Sequence, residues 1–219
     1  MRYPCLVLDH DDTVVRSEQT VNFPQFLETL AELRPGMRMS RAEFTRGCLT
    51  QGFSGLCRDQ LHFTPEEAAH SFESWKQYVR THIPPAYEGI RELLLRHKQR
   101  GGLICVVSHS SCENIARDYA VHFGLKPDLI YGWELGESLR KPNPYPLLDI
   151  MEKTGLPSAQ LLMVDDLKPG LDMATACGVP FACAGWSHYL PEIAEFMRTR
   201  SPVYFQTVQE FSDYLEQGT

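Results

Sequence analysis

The chain has 219 residues, enough for a buried core and close to the size at which one domain begins to subdivide, so one core domain with a small insertion is expected. Hydrophobic residues make up 43% and charged residues 22%, which excludes a disordered or membrane class, and a net charge of −7 argues against a nucleic-acid backbone as the main partner. The seven cysteines, Cys5, Cys48, Cys57, Cys105, Cys112, Cys177 and Cys183, are scattered without a Cys-x-x-Cys pair and read as reduced core thiols. The apolar run at 5–8 is too short for a signal peptide and no later stretch reaches membrane-spanning length, so a cytoplasmic protein with no membrane partner is expected.

The first predicted element is that apolar run, a buried strand leading straight into Asp9-His10-Asp11-Asp12-Thr13. Residues 16–84 then read as purely helical. Phe23, Phe26, Leu27 and Leu30 recur at helix spacing, Ser40 and Glu43 have capping-box spacing, and Thr64-Pro65-Glu66-Glu67 opens a helix with Ala68, Phe72, Trp75 and Val79 on one stripe. Arg46, Gln51 and Lys76 in this region read first as solvated surface and second as groups facing a substrate. From residue 85 onward, strands alternate with amphipathic helices. A helix over 90–100 ends at Gly101-Gly102, a strand covers 103–107, and the next helix opens at Ser110 with Glu113 completing a capping box. Further strands are expected at 129–131, 161–164, 181–183 and 203–205. This alternation predicts an α/β protein: a three-layer, Rossmann-like parallel-sheet core from residues 1–15 and 85–219, with a small all-helical domain, 16–84, inserted after the first strand.

Open sheets of this kind bind ligands at the carboxyl ends of their strands, where Asp9, Ser108 and Asp165-Asp166 fall. Asp9 and Asp11, two apart, share a face on a continuing strand or splay into a loop at its end. Carboxylates this close repel and need a cation or a proton between them. With Asp165 and Asp166 alongside, oxygen donors outnumber soft ones, which favours Mg²⁺ over zinc. A carboxylate beside such a cation can attack phosphorus, a neighbouring acid can donate to the leaving oxygen, and Lys141 and the Ser108 hydroxyl can hold the remaining oxygens. The residues therefore predict metal-dependent phosphoryl transfer.

The order of these pieces resembles the haloacid dehalogenase-like superfamily. Its first motif, an apolar strand and Asp-x-Asp-x-Thr, is similar to residues 6–13; its second, a strand and Ser or Thr, to 105–108; its third to Lys141-Pro142; and its fourth to 164–172. The helical insertion resembles the cap of the subfamily that contains phosphoglycolate phosphatase and beta-phosphoglucomutase. The resemblance implies that Asp9 forms an aspartyl-phosphate and binds Mg²⁺, and that Asp11 is the general acid and then the base, its backbone carbonyl also on the metal. It further implies that Asp166 is a metal ligand, that Asp165 is a second ligand or an outer partner, and that Ser108 and Lys141 grip phosphate. His10 and His109 flank these groups as candidates to touch substrate or tune Asp9, His109 being placed with the phosphate-binding set. The remaining histidines, His62, His70, His82, His97, His122 and His188, read as surface or cap residues.

The acid at position 11 resembles phosphatases and phosphomutases, not members that break carbon-halogen bonds. A Mg²⁺-dependent phosphatase acting on a small phosphorylated metabolite is therefore implied, with the cap closing over the site; a phosphomutase is the second reading and a non-catalytic binding protein the third. The chain departs from the family pattern at Asp12, where Gly is common, and at His10, where Phe, Leu or Met is common. An Asp at a turn tolerates left-handed backbone, so the loop is expected to form; its charge either raises neighbouring pKa values or faces solvent.

Overall fold

Cys5, Leu6, Val7 and Leu8 are all apolar, a run suited to a strand covered on both faces, and all four are buried. The computed structural model describes residues 1–217, apart from the side chain of Gln51. In it, strand β1 (Cys5–Leu8) precedes helices α1 (Phe23–Leu33), α2 (Arg41–Gly55) and α3 (Pro65–Thr81). There follow α4 (Ile90–Gln99), β2 (Leu103–Val107), α5 (Cys112–Phe123), β3 (Leu129–Tyr131), α6 (Tyr145–Thr154), β4 (Leu161–Asp165) and α7 (Lys168–Cys177), then β5 (Phe181–Ala184), α8 (Pro191–Arg200), β6 (Tyr204–Phe205) and α9 (Val208–Glu216). The chain divides into two compact units, Met1–Arg16 with the residues from Pro85 onward, and Ser17–Pro84.

The first unit is built on a six-stranded parallel sheet in the order β3-β2-β1-β4-β5-β6. In its centre Leu6 lies opposite Ile104 and Leu162, and Leu8 opposite Val106 and Val164, so the even-numbered side chains share a face. That face packs with Ile90, Leu93 and Leu94 of α4, Ile115, Tyr119 and Phe123 of α5, and Val208 and Phe211 of α9. Val7, Cys105, Val107 and Met163, pointing the other way, are buried too, and α7 lies against β4 and β5 with α6 beside it. The helix after Ser110 starts one residue later than its sequence suggests. Ser111 is its N-cap and takes the Asn114 amide at 3.3 Å, because the Ser110 hydroxyl is bonded elsewhere.

In the helical unit, Ser40 and Thr64 each form a full capping box with Glu43 and Glu67. Phe26, Leu30, Phe44, Leu56, Leu61 and Phe63 make its core. Arg34 joins the end of α1 to the start of α3 by a two-point contact with Glu67, at 2.7 and 2.8 Å. Two predicted stripes are rotated. Leu27 and Ala68 are exposed, whereas Gln25 and Thr29, hydrogen-bonded to each other at 2.8 Å, are buried. A polar pair that satisfies itself can enter a core, which an apolar-periodicity argument does not anticipate. Phe72 stacks on Trp75, Lys76 pairs with Glu73, Arg46 is exposed, and the Gln51 side chain lies outside the described residues.

His97, predicted at the surface, is buried. Its Nε2 donates to Leu103 O at 3.1 Å, beneath Gly102, where a Cβ would lie 2.2 Å from that nitrogen. The cysteines are free thiols, with Cys48, Cys112 and Cys177 only partly buried. Among the described residues no helix is long and apolar enough to cross a membrane.

Candidate active site

The pairing of β1 with β4 continues one step past the strand, where the Asp9 amide donates to Val164 O at 2.8 Å. This register brings Asp9 level with Asp165, the last residue of β4, and with Asp166. One carboxylate oxygen from each of the three lies within 4.8 Å of the others, and all three residues are buried. Lys141, from the loop between β3 and α6, is 7% exposed and enters this cluster with Nζ 2.5 Å from Asp165 Oδ2 and 2.7 Å from Asp9 Oδ1. Its contact with Asp9 is ionic and poorly aligned as a hydrogen bond, so that oxygen has no aligned donor. Asp165 Oδ1 accepts from the Leu167 amide at 2.8 Å, and its carboxylate fills the space over Gly170, where a Cβ would lie 2.3 Å from Oδ2.

Were all three buried carboxylates ionised, one ammonium would leave two negative charges enclosed. Burial pushes Asp165 up to about 6, Lys141 pulling it down and Asp9 pushing it up again. Asp166 stands well above the usual carboxylate range, through burial first and then through Asp165, Asp9 and Asp12. Asp12 therefore acts on the cluster. Burial opposes the charge on Lys141, yet the fields of Asp165 and Asp9 outweigh it and raise its pKa. An all-oxygen, over-negative, enclosed cluster fits a hard divalent cation such as Mg²⁺.

A pH dependence follows. Asp165 ionises near 3.8 when unfolded and at about 6 when folded, so between these values the native state holds more protons than the unfolded chain. Stability contributed by this group is therefore lost as pH rises through that window. In chelator the melting temperature should fall relative to that in Mg²⁺ between about pH 4 and about pH 7, because a cation held there would replace the proton. Parallel melting curves with and without Mg²⁺ would contradict this.

The loop after β1 carries the second carboxylate. Asp12 sits at φ 55°, in the left-handed region, so the turn forms with Asp where glycine is common. The Asp11 carboxylate stays outside the three-carboxylate cluster. Its Oδ2 accepts from Ser110 Oγ at 2.5 Å and from Ser108 Oγ at 3.3 Å. Ser110 is held in turn by the Trp133 amide, which donates to its carbonyl at 2.9 Å. His10 turns into the interior, 1% exposed, with Nε2 3.1 Å from Asp118 Oδ2; Asp118 also accepts from Arg117 Nε at 2.7 Å. His109 stays exposed and spends Nε2 on Lys141 O at 3.0 Å, leaving only Nδ1 for a ligand.

Ser110, Asp118, Ser187 and His188 are neighbours that the sequence reading does not place at the site, Ser110 being read there as a helix cap. His188, predicted at the surface or in the cap, is half-buried in the sheet unit, and burial holds it below the usual histidine range. Ser187 and His188 follow β5 at the same strand ends that marked the aspartates, which was the available signal.

A parallel sheet that gathers acidic side chains and one buried lysine at its central strand ends is an open α/β architecture with its candidate site at the strand carboxyl ends. The sequence profile of the haloacid dehalogenase-like hydrolase family matches residues 6–184, and the chain belongs to that family. No curated protein matches the sequence. Among solved structures, a haloacid dehalogenase-like hydrolase from Bacteroides fragilis is similar with TM-score 0.80 at 16% identity, over 95% of this chain and 99% of that one. A predicted phosphoglycolate phosphatase from Haemophilus somnus matches with TM-score 0.79 at 17% identity, over 100% and 99%. CbbY from Rhodobacter sphaeroides, in complex with phosphate, matches with TM-score 0.72 at 19% identity, over 94% of each chain.

Proposed function

We propose that this protein is a Mg²⁺-dependent phosphatase that hydrolyses a small phosphate monoester through an aspartyl-phosphate on Asp9. The observation that carries the reading is the buried cluster of Asp9, Asp165 and Asp166 around Lys141, with Asp11 held beside it by Ser108 and Ser110. Asp9, Asp166 and the Asp11 carbonyl would hold the cation, with Asp165 as a further ligand or as the group that fixes Lys141. When bound, the cation supplies positive charge that lets an anionic nucleophile approach an anionic phosphoryl group.

An Asp9 carboxylate oxygen attacks phosphorus and the ester oxygen leaves with a proton from Asp11. Asp11 then takes a proton from water as that water attacks the aspartyl-phosphate, which restores Asp9 and releases phosphate. Ser108 and Lys141 would bear on the phosphoryl oxygens. The helical unit, Ser17–Pro84, is the proposed substrate-selecting cap. The phosphate bound to CbbY is in keeping with this chemistry.

The test is phosphate release from a panel of small phosphate esters, with Mg²⁺ and with chelator. Release that requires Mg²⁺ is expected. Isomerisation of a sugar phosphate without release would replace the reading by a phosphomutase, and no turnover of any ester by a non-catalytic role.

A further inference from the structure

The turn that follows β5 carries two side chains that converge on Asp166. His188 Nε2 lies 2.7 Å from Asp166 O, and Ser187 Oγ lies 3.5 Å from Asp166 Oδ2. A carbonyl oxygen only accepts, so His188 Nε2 carries the ring hydrogen and Nδ1 of the neutral ring is an acceptor. The Tyr204 hydroxyl has one hydrogen and two acceptors in reach, Nδ1 at 3.1 Å and Gly185 O at 3.5 Å, and the nearer is Nδ1. Tyr204 is fixed in turn, with the Arg198 guanidinium 4.9 Å over its ring and Gly185 beneath it, where a Cβ would lie 2.2 Å from Cζ. The residue at 185 must therefore lack a side chain for this arrangement to exist.

The Asp166 carboxylate has little of its own to hold it. Among the described residues its hydrogen bonding is the long contact from Ser187, whereas Asp165 is tied at both oxygens, to Leu167 and to Lys141. Asp166 is consequently aimed through its main chain. We infer that His188, backed by Tyr204, is a positioning residue for a divalent cation at Asp9, Asp165 and Asp166. The inference rests on the cation-dependent reading proposed above. Groups that orient a metal ligand without touching the ion set affinity by roughly 10–100-fold, and His188 acts on the ligand's backbone, so an effect near the lower end is expected.

The experiment is titration of the whole protein, without substrate, with Mg²⁺ by calorimetry and with Mn²⁺ by its electron paramagnetic resonance signal. His188→Ala should weaken binding of both ions about tenfold. His188→Gln, whose amide nitrogen can reach the same carbonyl, should recover most of it. At saturating Mg²⁺ the KM for a phosphate ester should match wild type in both variants, which separates cation placement from general loosening. Affinity of folded His188→Ala within about twofold of wild type would overturn the inference. If His188→Ala does not fold, Tyr204→Phe decides: binding about threefold weaker at an unchanged melting temperature supports the inference, and unchanged binding overturns it. Absence of any cation binding by wild type would remove the inference together with the metal reading, whereas unaltered variants beside a binding wild type would remove the role of His188 alone.

Discussion

Asp9→Asn should lower turnover by about 10⁴-fold or more while leaving the protein folded. An amide oxygen at this position is a far weaker nucleophile than the carboxylate, and on the proposed mechanism the covalent step has no substitute. The effect on stability runs the other way. The substitution removes one of three buried carboxylates and leaves Lys141 paired with Asp165 at 2.5 Å, so repulsion in the cluster falls. Metal-free Asp9→Asn should therefore melt at or above the wild-type temperature and bind Mg²⁺ more weakly. Retention of phosphate release near the wild-type rate would sink the nucleophile assignment; loss of folding would sink the electrostatic account.

Lys141→Met has the largest expected cost in stability, about 3–5 kcal/mol in chelator. Methionine fills similar volume, but it leaves Asp9, Asp165 and Asp166 without the ammonium that pairs with their cluster among the described residues. Denaturant unfolding should show a loss that shrinks towards about pH 4, as Asp165 and Asp166 take up protons, and that shrinks again when Mg²⁺ is added. The pair also has a built-in control. Because Asp9 and Lys141 are 2.7 Å apart, the double variant Asp9→Asn with Lys141→Met should be more stable than Lys141→Met alone. A loss under about 1 kcal/mol for Lys141→Met would mean that the lysine is not the charge that balances the cluster.

The sheet was legible because its strands are short apolar runs, and a run such as Leu103–Val107 has few alternatives once glycines and helix caps bound it. The aspartates at positions 9, 165 and 166 and the lysine at 141 were legible as residue types at strand ends and in a recognised order. What escaped was everything that depends on which way a polar side chain turns. Ser110 was read as a helix cap because Glu113 follows at the right spacing, but the Asp11 carboxylate offers its hydroxyl a charged acceptor, and the cap passed to Ser111. Gln25 and Thr29 entered the helical core by bonding to each other, and His97 and His188 left the predicted surface because a backbone carbonyl was within reach. Spacing along a chain records periodicity; it does not record which partner a polar side chain takes, whether 4 residues away for Gln25 or 99 for Ser110.

The strand order has a consequence for synthesis on the ribosome. β1 is made first, yet both of its neighbours come later, β2 from Leu103 and β4 from Leu161. The four apolar residues of β1 must wait unpaired while the helical unit emerges, and that unit has its own core and its own capping boxes to collapse around meanwhile. The three-carboxylate cluster cannot assemble until Asp165 and Asp166 have left the ribosome, some three quarters of the way along the chain. A chain stalled before that point would present an unpaired hydrophobic strand, and a divalent cation could aid only the last stage of its folding.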